Sequence, residues 1–259
     1  GDFPHSLDAR RRTDMNRLMG RAFIMCVATA ASCGLLCCDA GITSGADPAA
    51  KVPEGYSLVF SEDFDSEASL SNFDFSDPKA WRWSKQGKAS GALELFQQSK
   101  YETKYRSPFN LAMVTTKQCG DFVLEVDMKQ TGKEYGHRDM CVYFDFQSPT
   151  QFYYTHLATT PDANAHNIFV VNEAPRKSFA PISPKGVDWG SDWQHVHVER
   201  IGDDIRVFYQ DMSKPVLAAK HGDFHSGYIG FGSFDDTGMI DNIRIWSPDA
   251  RDGRRPLFK

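Results

Sequence analysis

The residues on either side of Ser148-Pro149 form the pattern in this sequence that most resembles a binding site. Two alternating runs flank this turn, and a short hairpin loop would pair Tyr143 with Tyr154 and Cys141 with His156. Because side chains alternate along a strand, one face of the hairpin would carry a set of aromatic and polar residues: Asp139, Tyr143, Asp145, Phe152, Tyr154 and His156. Flat rings beside carboxylates and imidazoles are typical of sheets that bind sugars. The pattern predicts an open sugar-binding face, and the alternative is a partly covered outer sheet whose tyrosines support residues 173–192.

The opposite face of the same hairpin is predicted to be core. Alternation assigns to it a set of mainly apolar residues: Met140, Val142, Phe144, Phe146, Tyr153, Thr155 and Leu157. The whole interpretation depends on regular alternation along both strands.

Composition limits the classes of function. The chain has 259 residues, with 29 Lys and Arg against 34 Asp and Glu, so its net charge is −5 at pH 7. Nucleic-acid binders need a basic surface to displace counterions, which makes that class a poor match. No phosphate-binding loop, Rossmann glycine string, C-x-x-C pair or G-x-S-x-G motif is present, so nucleotide, redox and serine-hydrolase chemistry have no support.

Short alternating runs separated by Gly, Pro, Asp and Asn indicate an antiparallel sandwich. The aromatic fraction of 13% also favours strands. The predicted strands are 56–60, 81–85, 92–96, 111–115, 121–130, 139–147, 151–158, 167–172, 194–200, 204–210, 227–233 and 240–246. They form a jelly-roll domain over residues 56–247, preceded by a linker at 47–55 and followed by a basic, mobile tail at 248–259.

Residues 1–46 have the character of an export signal. Arg17 and Arg21 precede an apolar stretch over residues 22–38, and Ala46 fits a small-residue cleavage pattern. Residues 35–38 also match a lipobox in part, so a lipoprotein and an uncleaved anchor remain alternatives. We expect an exported protein, in the periplasm, outside the cell or on its surface, with membrane contact only through this segment.

Four of the six cysteines lie in that leader, which leaves Cys119 and Cys141. A hairpin between residues 120–130 and 137–147 would separate them by about 23 Å along the strand, which is beyond the reach of a disulfide. We expect two free, buried thiols.

Several segments resemble known families. Residues 192–200 (DWQHVHVER) with 202–209 (GDDIRVFY) resemble a hairpin of laminin-G-like domains. Residues 227–232 with 240–246 are similar to the last two strands of concanavalin A-like lectins and glucanases, and residues 62–65 to their opening strand. A nearer resemblance, through residues 121–126 (DFVLEV), is to secreted bacterial 3-keto-disaccharide hydrolases. The resemblance implies an all-β, two-sheet antiparallel jelly-roll sandwich of the concanavalin A-like type.

The resemblance also implies a structural calcium ion. Jelly rolls of this superfamily often link the first strand to the last through Ca²⁺, which takes six to eight hard oxygen ligands. Glu62, Asp63 and Asp241 occupy the matching places, and the alternative is that these carboxylates only bond backbone at one end of the sandwich.

A His/Tyr/Arg cluster is similar to the residues that carry sugar β-elimination on a jelly roll. There a cation stabilises an enolate beside a uronate carboxylate, and a Tyr or His takes the C5 proton and protonates the leaving oxygen. The expected catalytic residues are Arg138, Tyr154, His156 and His166, with Asn167 and Arg176 binding substrate beside Asp139, Tyr143, Asp145 and Phe152. Alternation places His166 and Asn167 on opposite faces, so only one can take part. The alternative is that these are scattered polar groups at strand ends.

Two further patterns give weaker support, one to glycoside hydrolysis and one to zinc binding. The E-x-D-x-x-E strand of the superfamily's hydrolases is missing, although Glu125 and Asp127 share a strand face. His195 and His197 have a spacing that can chelate zinc, without an obvious third ligand.

These observations lead to one first interpretation and two alternatives. We expect a jelly-roll domain that binds a polysaccharide or oligosaccharide on its aromatic and polar sheet face, with no organic cofactor. The first alternative is a glycan-cleaving enzyme, either a polysaccharide lyase or a glycoside or 3-keto-disaccharide hydrolase. The second is a cell-surface adhesion domain with a protein partner.

Overall fold

The computed structural model describes residues 51–258, and these form two antiparallel sheets packed face to face. One sheet has the strand order β14-β13-β12-β7-β16-β4-β3, with β1 also paired to β16, and we call it the β7 sheet. Its strands are β1 (Ser57–Glu62), β3 (Trp81–Ser84), β4 (Ala92–Leu95), β7 (Phe122–Gln130), β12 (Gln194–Ile201), β13 (Asp204–Tyr209), β14 (Leu217–Lys220) and β16 (Gly238–Ser247).

The second sheet has the order β11-β10-β9-β8-β15-β5-β2, and we call it the β8 sheet. Its strands are β2 (Phe73–Phe75), β5 (Asn110–Val114), β8 (Asp139–Ser148), β9 (Gln151–Ala158), β10 (Asn167–Asn172), β11 (Lys177–Ser178) and β15 (Tyr228–Ser233). A small separate ladder joins β6 (Lys117–Gln118) to β17 (Arg251–Asp252). The remaining regular elements are two short 3₁₀ helices, Glu67–Asn72 and Pro78–Ala80.

The predicted fold class is confirmed: the protein is an all-β jelly-roll sandwich. All the predicted strands are present, with ends that differ from the observed ones by two residues or fewer. The unpredicted strands β2, β6, β11, β14 and β17 have four residues or fewer, which is too short to show a clear alternation.

The main core lies between the sheets. From the β8 sheet, Val142, Phe144 and Tyr153 point into it, and from the β7 sheet, Leu124 and Val198 face them. Burial of these apolar side chains is the chief force that holds one sheet against the other, at roughly 25 cal/mol per Å² removed from water. This face of the hairpin was predicted correctly.

A second apolar layer covers the outer face of the β8 sheet. We call it the aromatic layer, and its buried members are Leu111, Met113, Cys141, Tyr143, Phe146, Phe152, Tyr154, Phe169, Val171 and Tyr228. A sheet that is apolar on both faces must be covered on both, because exposed apolar surface of this size is unfavourable in water. The residues that cover this layer therefore determine where a ligand can reach it.

The two cysteines lie in different layers. Cys119 belongs to the core between the sheets and Cys141 to the aromatic layer, and both are buried thiols that form no disulfide. The predicted hairpin between β7 and β8 is wrong, because these strands belong to different sheets.

The predicted export segment, with Cys26, Cys33, Cys37 and Cys38, lies outside the described residues. Among residues 51–258, no helix has the length and apolar character needed to cross a membrane.

Candidate functional site

The open sugar-binding face predicted for the central hairpin is wrong. Tyr143 and Tyr154 are fully buried, and Phe152 is only 1% exposed. The C-terminal segment, predicted to be mobile, folds back over this face, and its Leu257 and Phe258 pack on the aromatic layer. A glycan therefore has no exposed ring surface on which to stack along these strands.

A bulge also breaks the predicted alternation in β8. The pairing of β8 with β9 shifts register between Phe144 and Ser148, and Asp145 has a positive φ of 47°. Asp145 consequently turns away from the aromatic layer, and its Oδ2 accepts a hydrogen bond from Arg200 Nε at 3.1 Å. Phe146, which was predicted for the core, lies in the aromatic layer instead. Both assignments fail because one extra residue exchanges the faces.

A pocket of about 210 Å³ opens where the aromatic layer ends at His156. We call it the His156–Arg176 pocket, and its lining residues are Arg106, Tyr135, His137, His156, Asn164, Arg176, Phe234 and Asp235. Strand β9 supplies His156, while the other residues come from the segments before and after β5, β8, β10 and β15. Loop residues on a rigid sheet are a common arrangement for binding sites.

Arg176 is the most constrained cation of this pocket. Its Nη1 donates to Tyr154 Oη at 2.8 Å, and its guanidinium lies over the rings of Phe169 and Phe234, at 4.6 and 4.4 Å from their centroids. The backbone N–H of Arg176 donates to the carbonyl of Arg106 at 2.9 Å, which places the two arginines side by side. Such packing holds a positive charge in place before any ligand arrives.

His156 is neutral and almost completely buried, with 3% exposure. Its Nδ1 lies 3.3 Å from Arg176 Nη1, and because a guanidinium only donates, Nδ1 must accept and the imidazole proton resides on Nε2. Burial, reinforced by the charge of Arg176, lowers the pKa of His156 to about 3. Nε2 has no hydrogen-bond partner among the described residues and lies 3.9 Å from Asp139 Oδ2.

Asp139 lies behind His156 and is fully buried. Its Oδ2 accepts hydrogen bonds from Phe234 N at 2.9 Å and from Cys141 Sγ at 3.1 Å. Burial raises the pKa of Asp139 well above its usual value, and the neighbouring Asp236 and Asp235 raise it further. Within residues 51–258, two groups could hold a metal ion, and Asp139 belongs to both: Asp139 with Cys141 and His156, and Asp139 with Asp235 and Asp236.

Arg138, His166 and Asn167, which were predicted as site residues, do not line this pocket. Arg138 Nη2 donates to the backbone carbonyls of Gln130 and Gly190, at 3.2 and 3.1 Å. His166 is fully buried without a hydrogen-bond partner among the described residues, and burial lowers its pKa to about 4. Asn167 exchanges hydrogen bonds with the backbone N–H and C=O of Ala180, both at 3.1 Å. Arg176 takes the place beside Tyr154 and His156 that was predicted for Arg138.

Other pocket residues had no individual signal in the sequence. Arg106, Tyr135, Asn164, Phe234 and Asp235 belong to connecting segments, and alternation says nothing about where a connecting segment folds. His137 also lines the pocket, and its Nε2 lies 2.7 Å from Asp162 Oδ2.

The residues predicted to bind calcium do not fit a calcium site. Both carboxylate oxygens of Glu62 and of Asp241 accept hydrogen bonds from protein donors, and both oxygens of Asp63 lie within 2.8 Å of the guanidinium of Arg244. Glu62 accepts from Phe64 N, Ser69 and Asn72, Asp63 pairs with Arg244, and Asp241 accepts from the backbone N–H groups of Lys88 and Asn242. These contacts correspond to the alternative in which the carboxylates fasten one end of the sandwich.

A second polar cluster lies on the β7 sheet. His195 Nδ1 is 2.9 Å from Asp127 Oδ1, and His197 Nε2 is 3.1 Å from Glu199 Oε1. Hydrogen bonds to Asp127 and Glu125 raise the pKa of His195 to about 9. The histidines predicted as a possible zinc pair thus each have a carboxylate partner.

Comparison with known proteins gives fold matches at low identity. No family model matches the sequence, and no curated protein matches it. A carbohydrate-binding module from Bacillus subtilis, CBM66, aligns with 68% of this chain and 96% of its own, at 15% identity and a TM-score of 0.49. A GH43 protein from Bacillus licheniformis aligns with 76% of this chain and 40% of its own, at 12% identity and a TM-score of 0.49. A Bacillus subtilis protein of unknown function with a galectin-like fold aligns with 77% and 98%, at 9% identity and a TM-score of 0.47.

Proposed function

We propose that this chain binds a small saccharide, or the end of a longer one, in the His156–Arg176 pocket. The observation that carries the proposal is the wall of this cavity of about 210 Å³, which combines two guanidinium groups, two imidazoles and a phenyl ring. The volume suits a single sugar ring, and such a mixture of polar donors with an aromatic surface suits its hydroxyls and its C–H faces. Burial of the aromatic layer favours this end-on mode over a polymer lying along the strands.

The charge of the pocket favours an acidic sugar. Arg106 and Arg176 are joined by a backbone hydrogen bond and both line the pocket, where their two positive charges outnumber the one carboxylate of the lining, Asp235. A planar guanidinium forms two parallel hydrogen bonds with a carboxylate, which a neutral hydroxyl cannot match. We therefore expect a uronic acid or another carboxylated sugar to bind more tightly than its neutral counterpart.

The geometry supports binding over cleavage. The hydroxyl of Tyr154 is buried against Arg176, and the two imidazole nitrogens of His156 face Arg176 and Asp139. A general base must lie within hydrogen-bond reach of the proton that it removes, and neither side chain presents an unengaged basic atom to the cavity. Arg138, the predicted stabiliser of an enolate, lies elsewhere.

The test is calorimetric titration of the full chain with glucuronate, galacturonate, the corresponding neutral sugars and short oligomers of each. We expect saturable binding of an acidic sugar, and affinity roughly tenfold lower in Arg106→Gln, because one charged hydrogen bond is lost. Arg251→Gln, at an exposed arginine of β17, is the matched control and should bind as the wild type does.

Three outcomes would contradict the proposal. No binding of any sugar would favour the adhesion alternative. Equal affinity of wild type and Arg106→Gln would place the binding site elsewhere. Release of an unsaturated product from a uronate polymer would favour a lyase.

A further inference from the structure

Three acidic side chains converge beside the His156–Arg176 pocket. Asp139 begins β8, and Asp235 and Asp236 lie in the turn between β15 and β16. One carboxylate oxygen from each lies within 4.8 Å of those of the other two. Among residues 51–258, the one basic side chain within 4 Å of these carboxylates is His156, which is neutral and lies 3.9 Å from Asp139. Like charges at such separations repel one another strongly when they are shielded from water.

Hydrogen bonds fix this convergence in place. Asp236 Oδ2 accepts from Asp139 N and from Tyr135 Oη, both at 2.9 Å. The turn itself is closed by Ser233, whose Oγ donates to Asp236 O at 2.7 Å and accepts from Asp236 N at 3.0 Å. Hydrogen bonds of the fold therefore hold Asp139 and Asp236 close together despite their like charge.

A second and independent observation is an orphaned oxygen. Asp139 is fully buried, and while its Oδ2 accepts two hydrogen bonds, its Oδ1 has no partner within the described part of the chain. Buried polar atoms are almost always paired, so this carboxylate oxygen has room for a further partner, either a proton or a cation.

We propose that Asp139, Asp235 and Asp236 form a binding site for a hard divalent cation such as Ca²⁺ or Mn²⁺. Carboxylate oxygens are the ligands that such cations prefer, and the ion would neutralise most of the charge that the three side chains bring together. Asp235 also lines the His156–Arg176 pocket, so coordination positions not filled by the protein face the cavity. If the proposed saccharide binding is correct, sugar hydroxyls would occupy some of them.

The alternative ligand set with Asp139, Cys141 and His156 would suit a softer ion such as zinc. It is disfavoured because His156 accepts at Nδ1 from Arg176, which leaves the proton on the nitrogen that would have to bind the metal. The thiol of Cys141 is also engaged, since it donates to Asp139 Oδ2 at 3.1 Å.

Terbium luminescence of the full chain tests the cation site without any sugar. Tb³⁺ is a probe for calcium sites, and Tyr135 is close enough to sensitise its emission, because the hydroxyl bonds Asp236 Oδ2 at 2.9 Å. We expect saturable Tb³⁺ emission that Ca²⁺ displaces. Asp139→Asn and Asp235→Asn should each weaken the binding at least roughly tenfold. Asp235 is exposed, so its variant remains informative if Asp139→Asn fails to fold.

Asp252→Asn is the matched control, because Asp252 is an exposed carboxylate of β17, and it should bind Tb³⁺ as the wild type does. Emission that does not saturate, or that is equal in Asp235→Asn and wild type, would overturn the proposal. So would Zn²⁺ binding that Cys141→Ser abolishes and Asp235→Asn leaves intact. The titration contains no saccharide, so its failure is distinct from failure of the proposed saccharide binding.

Discussion

At the scale of single residues, the protonation of His195 in the polar cluster of the β7 sheet makes the stability of the protein depend on pH. Asp127 and Glu125 raise its pKa from 6.5 to about 9, while Lys88 pairs with Asp127 at 3.0 Å and His197 lies nearby with a lowered pKa. A raised folded-state pKa gives stability that is fully present below pH 6.5 and is lost as pH rises through about 9. The side chain is 20% exposed, so solvent screening reduces the effect.

We therefore expect the free energy of unfolding to fall by about 2 kcal/mol between neutral pH and pH 10 through this residue. Urea unfolding across that range measures the change. His195→Asn should flatten the slope, whereas Arg251→Gln, at an exposed arginine of β17, should leave it unchanged. An equal slope in His195→Asn and wild type would mean that the ion pair does not form.

The buried pair of Arg200 and Asp145 gives a second prediction at this scale. Arg200 is 1% exposed, and its Nε and Nη2 donate to Asp145 Oδ2 and to Phe224 O, at 3.1 and 2.6 Å. Arg200→Met strands the carboxylate of Asp145 and should cost about 3–5 kcal/mol of unfolding free energy. Adding Asp145→Asn removes the stranded charge and should recover part of that loss.

A double-mutant cycle by chemical denaturation measures the coupling between the two residues. Additive losses in the double variant would show that the two side chains do not interact. In that case the ion pair with Arg200 would not stabilise the bulge in β8 that turns Asp145 toward it.

At the scale of elements, the C-terminal segment decides which part of the β8 sheet a ligand can reach. Leu257 N donates to Asp74 Oδ2 at 2.6 Å, and the ring of Phe258 lies 5.9 Å from that of Phe146 and 5.6 Å from that of Tyr101. With this cover in place, the pocket at His156 is one place where a ligand can reach the edge of the aromatic layer. The segment thus separates a structural apolar layer from the candidate site.

Phe258→Ala should lower the unfolding free energy by about 1–2 kcal/mol, because a partly buried ring is lost from an apolar surface. Guanidinium unfolding measures the loss, together with binding of a hydrophobic dye to the uncovered layer. Arg251→Ala, in the same segment but exposed, is the control. Unchanged stability and dye binding in Phe258→Ala would show that the segment does not cover the layer in solution.

At the scale of the whole molecule, the sequence predicts the sandwich well and the site only in part. Regular alternation identifies the long strands, and it correctly puts Val142 and Tyr153 in the core and Tyr143 and Tyr154 on the reverse face. The reverse face is covered by the C-terminal segment, whose Leu257 and Phe258 pack on it. The local pattern of a strand cannot reveal a contact with a segment so far away in the sequence.

The same limit explains the mixed outcome at the site. His156 and Arg176 do come together, although they lie 20 positions apart in the chain. Arg138 was predicted beside Tyr154 and His156, yet its guanidinium donates to the backbone carbonyls of Gln130 and Gly190. Arg106, Phe234 and Asp235 complete the pocket from connecting segments, where neither period nor spacing fixes a position.

The most direct test of saccharide binding in the His156–Arg176 pocket is a two-dimensional NMR titration of the full chain with a uronic acid. The titration follows the backbone and arginine side-chain signals. We expect saturable shifts at Arg106, Arg176 and Asp235, while the signals of Tyr143 and Phe152 stay in place. Shifts concentrated on Tyr143 and Phe152, with Arg176 unaffected, would contradict this expectation, because the sugar would then occupy the covered sheet face rather than the pocket.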